Sequence, residues 1–272
     1  MPRRFPLEFR KMGDICEHYA MVGMATVVDE LPLFYEATNE MGLSMAGLNF
    51  PDNAYYPPVF DGKDNIAPFE FIPWILGQCK TVSEAKSLLS RINLADIAFS
   101  EELPQTPLHW MILDREESIV VEPMRDGLHI HENPYGVLTN NPPFEYHVAN
   151  LEKHRHLHGD KLPGDTSSES RFVRMSFFRE SSVCDDDELS SVGQFFHLLS
   201  SVEVIKGARK TEEGAWHFTR YSSCANTDKG LYYYTTYGNR RITCVNMHSV
   251  ELNSDKVCRF PLLEKQSIKY IN

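Results

Sequence analysis

The order in which apolar periodicity changes along the chain limits its fold more than any single motif does. Residues 19–28 and 43–50 read as strands, joined through the turn signal Asn39-Glu40-Met41-Gly42. An apolar helix follows over 68–79, then a second one opened by the capping-box pattern Thr81-Val82-Ser83-Glu84. Short strands come next at 108–113, 119–121 and 128–131, separated by polar turns. Helices resume at 144–151, 170–178 and 189–199, the last with acids at 185–188 that suit its dipole. The tail reads as strands at 218–225, 231–237, 241–247 and 257–262, with Tyr237-Gly238-Asn239 as a tight hairpin turn. Strands therefore arrive in blocks and do not alternate singly with helices. That order suits two sheets between helical layers and disfavours a parallel βαβ sheet.

With 272 residues, 42% of them hydrophobic, the chain can bury a sizeable core. No internal repeat and no Pro/Gly/Ser linker divides it, so one domain over residues 1–272 is expected. Lys plus Arg number 27 against 38 Asp plus Glu, a net charge of −11, and the densest basic stretch, His154-Arg155-His156, lies between acids. A chain of that charge repels phosphate backbones, which argues against nucleic acid as a partner. Six scattered cysteines with no Cys-x-x-Cys pair read as reduced thiols in a cytoplasm. No apolar run approaches the roughly 20 residues a membrane helix needs, so membrane insertion is not expected. The opening Met-Pro-Arg-Arg-Phe-Pro has no apolar stretch behind it and does not read as a signal peptide.

Three spots carry chemistry. In Gly47-Leu48-Asn49-Phe50-Pro51 an Asn at a strand end can present a backbone N–H and a side-chain amide to a cleft. Leu138-Thr139-Asn140-Asn141-Pro142 repeats the pattern. The bland explanation of both is an Asn that ends a strand by bonding its own backbone. In Ser170-Arg171-Phe172 an Arg stands near a helix start, against the dipole, where a plain surface Arg is the alternative. His154-x-His156-x-His158 alternates like metal ligands but has no carboxylate or Cys at ligand spacing, and a solvated loop explains it better. Cys224 with His217 and Cys16 with His18 carry no thiol–imidazole signal of their own.

Read together, these segments resemble the choloylglycine hydrolase family, which includes bile salt hydrolases and penicillin V acylases. The stretches that carry the likeness are Tyr19-Ala20-Met21-Val22-Gly23-Met24, Asn39-Glu40-Met41-Gly42-Leu43 and Ala46-Gly47-Leu48-Asn49-Phe50-Pro51. Further on come Leu108-His109-Trp110-Met111, Ser118-Ile119-Val120-Val121-Glu122, Gly136 to Pro142, Ser170-Arg171-Phe172 and Tyr221-Ser222-Ser223-Cys224. The likeness implies an α+β fold, a four-layer αββα N-terminal-nucleophile (Ntn) hydrolase sandwich. It implies hydrolysis of a linear amide with no cofactor and no metal, by a Cys whose own α-amino group is the base. By motif match Asn49 lends its backbone N–H and Asn140 its side-chain amide to an oxyanion hole, and Arg171 favours the thiolate. Phe99 and Leu103 match apolar positions of a substrate loop. Asn at 49, where the family's penicillin acylases tend to carry Tyr, points to conjugated bile salts, small amphipathic amides bound mainly by apolar burial.

Two departures accompany the likeness. Met1-Pro2-Arg3 falls where the family has an interior extended segment, so the nucleophilic Cys and the first strand or strands are expected to be missing from the 272 residues. Between Asn150 and Arg171 the chain lacks a long loop that some members use in subunit assembly, which leaves a homo-oligomer open. The alternatives are a catalytically inactive Ntn-fold protein that binds amphipathic ligands, and a penicillin V acylase-like amidase.

Overall fold

The structure, a computed structural model, describes residues 1–155, 159–211 and 214–272. In chain order the elements are β1 (Met21–Val28), β2 (Leu31–Asn39), β3 (Ser44–Asn49), β4 (Asp64–Ile66), α1 (Phe71–Gln78), α2 (Val82–Leu89) and β5 (Ile92–Leu94). After them come β6 (Leu108–Leu113), β7 (Ser118–Met124), β8 (Gly127–Glu132), α3 (Phe144–His154), α4 (Ser168–Ser181) and α5 (Glu188–Ser200). The last five strands are β9 (Arg209–Lys210), β10 (Trp216–His217), β11 (Tyr221–Asn226), β12 (Leu231–Thr236) and β13 (Asn239–Asn246). The fold is α+β, with strands and helices in the expected blocks.

The chain divides into two compact units. One comprises residues 1–146, 227–230 and 246–258, the other 147–226, 231–245 and 259–272. The first is built on a six-stranded sheet in the order β1-β2-β3-β6-β7-β8, in which every neighbouring pair is antiparallel. A short parallel pair, β4 and β5, stands apart from it. Helix α1 is apolar all round because it is buried all round: Phe71, Ile72, Trp74, Ile75 and Leu76 join Met21, Met45, Trp110, Ile112, Ile119 and Val121 in one core. Trp110 sits at the centre, edge-on to Phe71 with ring centroids 4.9 Å apart. Thr81 caps α2 as the sequence indicates, its hydroxyl accepting from the Glu84 N–H at 3.2 Å, while the Glu84 carboxylate takes the Lys80 N–H.

The turn before β3 is held by Asn39, which is fully buried. Its Nδ2 donates to the carbonyls of Leu76 and Cys79, both at 2.8 Å, and so caps the C-terminal end of α1. Its Oδ1 accepts from the N–H groups of Met41 and Leu43 at 3.0 Å. One side chain thus ties a hairpin to a helix end.

The second unit holds α4, α5, the β9–β10 ribbon and the antiparallel sheet β11-β12-β13. Tyr232, Tyr233 and Tyr234 are all buried in β12, so both faces of that strand are covered. Ser167 and Asp187 cap α4 and α5, accepting from the N–H groups of Ser170 and Ser190. The hairpin at Tyr237-Gly238 is present, and Gly238 is required there by close approach: a Cβ would stand 2.2 Å from the Glu264 carbonyl oxygen.

Two expectations fail. Residues 257–262 form no strand; Pro261 has no N–H to give a ladder, and the segment runs exposed, bonded at Tyr234 Oη through the Pro261 carbonyl. Conversely β2, absent from the sequence reading, is a nine-residue strand. Its period is broken by a bulge, since Met24 pairs with Glu36 but Ala25 with Phe34, which pushes Tyr35 out of register.

Candidate active site

Near that bulge the edge of β3 is left without a strand partner. In the ladder between β3 and β6 the Phe50 N–H donates to the Pro107 carbonyl at 2.8 Å. Even-numbered residues of β3 therefore turn their N–H and C=O toward β6, and odd-numbered ones turn both toward β2. But β2 pairs with β3 only from Ser44 to Ala46. Beyond Ala46, where Tyr35 bulges, β2 leaves, and the N–H and C=O of Asn49 face an open edge. Bulges that end a ladder beside a functional group are a recurrent device.

Asn140 arrives at that same edge. It lies on the loop after β8, which the buried Asn133 shapes by donating from Nδ2 to the Val137 carbonyl at 3.1 Å. Asn140 Nδ2 donates to the Asn49 carbonyl oxygen at 2.9 Å, and Asn141 Nδ2 donates to the Pro51 carbonyl oxygen at 2.7 Å. These bonds span 91 and 90 residues, so neither Asn140 nor Asn141 is simply ending its own strand. Because the Asn49 N–H and C=O point the same way, the Asn140 amide and the Asn49 N–H stand on one side of β3. Two fixed donors so placed suit the oxyanion of an acyl transfer.

Phe99 and Leu103 share the loop between β5 and β6. Phe99 packs edge-on against Phe69 at 5.2 Å, with the Arg10 guanidinium 5.7 Å from its ring. Ser100 and Leu103 exchange backbone bonds of 3.3 Å, a tight turn that leaves the Leu103 side chain 42% exposed. The loop ends at Leu108, the cross-strand partner of Asn49, so it is tethered beside the asparagine pair. Arg171 belongs to the second unit, in the first turn of α4, and its Nε donates to the Thr166 carbonyl at 3.3 Å. Burial, and then the guanidiniums of Arg209 and Arg174, lower its pKa from the ordinary arginine value.

Burial pushes Cys79 up to about 12 and Cys224 up to about 11, so both stay protonated near neutral pH. Among the described residues no three His, Cys, Asp or Glu side chains gather as metal ligands would. His154 bonds the Asn150 carbonyl at the end of α3, and His156 and His158 lie outside the described residues.

Sequence reasoning gave no role to a buried pair beneath these asparagines. His109 on β6 and Glu122 on β7 are both fully buried, with His109 Nδ1 and Glu122 Oε1 3.0 Å apart. Burial raises the Glu122 carboxyl, but bonds from His109 and His131 outweigh it and hold the group at about 2. The signal was present as a His and a Glu inside two otherwise apolar strands.

A family description, linear amide C–N hydrolases of the choloylglycine hydrolase family, matches residues 1–260. The chain belongs to the choloylglycine hydrolase family. It is 43% identical to a bile salt hydrolase/transferase of Lactiplantibacillus plantarum, over all of this chain and 90% of that protein. It is 36% identical to a bile salt hydrolase/transferase of Clostridium perfringens, with the same coverage of both chains. A crystal structure of a variant of the Clostridium perfringens conjugated bile acid hydrolase superposes with a TM-score of 0.92 at 35% identity, over all of this chain and 90% of that one. The penicillin V acylase of Agrobacterium tumefaciens shares the fold, with a TM-score of 0.78 at 21% identity over 94% of this chain and 79% of that one. The choloylglycine hydrolase fold is thus of the Ntn class, and the family's reaction is the hydrolysis of linear amides. No described helix is long and apolar enough to cross a membrane.

Proposed function

We propose that this choloylglycine hydrolase cleaves the amide of conjugated bile salts, releasing glycine or taurine, with Asn49 and Asn140 holding the oxyanion. The observation that carries this reading is the Asn140 amide docked on the open edge of β3, on the side to which the Asn49 N–H points. When a thiolate attacks the amide carbonyl, its oxygen gains negative charge, and each preorganised donor is typically worth about 10²–10³ in rate. The nucleophile is the thiol of a Cys with a free α-amine, as the resemblance implies; each of the six cysteines in these 272 residues has a peptide-bonded nitrogen. As the resemblance implies, Arg171 is the cation that favours the thiolate. The exposed Leu103 and the half-buried Phe99 offer apolar surface to a steroid, each Å² buried contributing about 25 cal/mol. The names of the relatives support the substrate class. Six unpaired cysteines fit a cytoplasmic location.

The test is release of glycine and taurine from glycocholate and taurocholate, with penicillin V as the competing amide. It is run on the 272 residues alone and on the same residues behind a Cys-bearing N-terminal strand. Turnover is expected only with the strand, faster on the bile conjugates than on penicillin V, and unchanged when the six other thiols become Ser. Turnover by the 272 residues that disappears with Cys16→Ser or Cys224→Ser would assign another nucleophile and refute the reading.

A further inference from the structure

His109 touches both halves of the asparagine pair, one residue away from each donor. Its ring stacks on Phe50, the neighbour of Asn49, with centroids 4.3 Å apart and planes 8° from parallel. Its Nε2 stands 2.7 Å from the carbonyl oxygen of Thr139, the neighbour of Asn140. A carbonyl only accepts, so Nε2 carries a hydrogen and donates it. The opposite nitrogen, Nδ1, faces Glu122, which sits across the ladder one step beyond the registered pair Trp110↔Val121. Glu122 also accepts the Phe144 N–H, the first amide of α3, at 3.0 and 3.2 Å, and lies 3.5 Å from His131 Nε2. The carboxylate therefore has partners on three sides and fixes the plane of the His109 ring.

Buried ionic groups are a poor way to gain stability, since apolar residues of the same volume often do as well. They do fix geometry, and a donor pair needs that, because a misplacement of about 1 Å can cost about a hundredfold in rate. We propose that His109 is a positioning residue of the hydrolase. It clamps Phe50 by stacking and Thr139 by hydrogen bond, so that the Asn49 N–H and the Asn140 amide keep a fixed spacing. Glu122 holds the clamp at its angle. This inference rests on the oxyanion reading above.

The two nitrogens of His109 can be tested apart. His109→Gln keeps a donor at the reach of Nε2 and loses the one toward Glu122; His109→Asn keeps the donor toward Glu122 and loses the one to Thr139. Both lose the stacked ring and one bond, so their melting temperatures should fall alike. With glycocholate and the N-terminal thiol in place, His109→Asn is expected to lose about tenfold or more in kcat, His109→Gln about threefold at most, with KM within about twofold in both. Equal kcat in the two variants overturns the clamp, whether both match the wild type or both fall together. If neither folds, Phe50→Leu removes the other jaw, and kcat must fall there with KM unchanged or the clamp is refuted. Asn140→Ala in the same assay keeps the two claims distinct. A wild type that does not turn over, or an Asn140→Ala variant that matches it, removes the oxyanion reading and the inference with it. A normal loss in Asn140→Ala beside wild-type kcat in His109→Asn removes the clamp alone.

Discussion

The turn that leads into β3 and the far end of β3 use the same residue type for opposite purposes. In the turn Asn39 is fully buried and every bond its amide makes is structural, two carbonyls of the α1 terminus on one side and two turn amides on the other. At the far end Asn49 is exposed, and the bulge at Tyr35 has taken β2 away from its N–H. Asn140 then docks there on a loop held from below by the buried His109, which bonds the Thr139 carbonyl and meets Glu122 on its other side. A saturated asparagine inside the core is scaffold. One placed where a ladder has been ended early is available for chemistry, and the difference lies in where the neighbouring strand stops.

The two regions also differ in charge, so acid should separate them. Glu122 is held at about 2, against an ordinary 4.5 in the unfolded chain. A depressed carboxyl stabilises fully above its unfolded value, and that contribution is lost as pH falls from about 4.5 toward about 2. For this fully buried group it amounts to on the order of 3 kcal/mol. His131, raised by its bond to Glu122, works in the opposite direction: its contribution is present below 6.5 and lost as pH rises through its folded value. Urea unfolding of wild type and Glu122→Gln between pH 6 and pH 3 should show the gap between them closing on acidification. Parallel acid limbs would mean that the far end does not depend on the carboxylate.

A smaller effect is expected midway along β3. A Cβ on Gly47 would stand 2.9 Å from Nε1 of Trp110, which is fully buried and cannot swing aside. Gly47→Ala should lower stability by about 1–3 kcal/mol through overpacking. Since Gly47 and Asn49 share the face that Trp110 supports, kcat should fall as well. A Gly47→Ala protein with wild-type melting temperature would show that the indole yields and that this stretch of strand is not rigid.

The block order of elements, the buried helix α1, the Thr81 cap of α2 and the hairpin at Gly238 were legible because each rests on local pattern. Strand β2 was not, because the residue that breaks its period, Tyr35, is the bulge itself. Residues 257–262 carry a strand-like composition that the fold leaves without a ladder. Asn49 and Asn140 were legible as strand-end asparagines before prolines, but their bond joins positions 91 residues apart, and no local pattern contains that. Arg171 came from family likeness. His109 and Glu122 were visible as ionisable residues in apolar strands, yet their meaning depends on a cross-strand register that only the folded sheet supplies.

Whether the far end of β3 is a donor pair is decided most directly by measuring kcat for glycocholate and melting temperature on Asn39→Ala and Asn140→Ala side by side. Asn140→Ala is predicted to lose about 10²–10³ in kcat, roughly 3–4 kcal/mol, with little change in KM and a stability loss near 1 kcal/mol. Asn140→Asp should be at least as damaging, because it sets a like charge beside the oxyanion. Asn39→Ala is predicted to do the reverse, losing roughly 3 kcal/mol of stability while the folded fraction turns over normally. Near-wild-type kcat with a lowered melting temperature in Asn140→Ala would make the two asparagines alike, and would contradict the assignment.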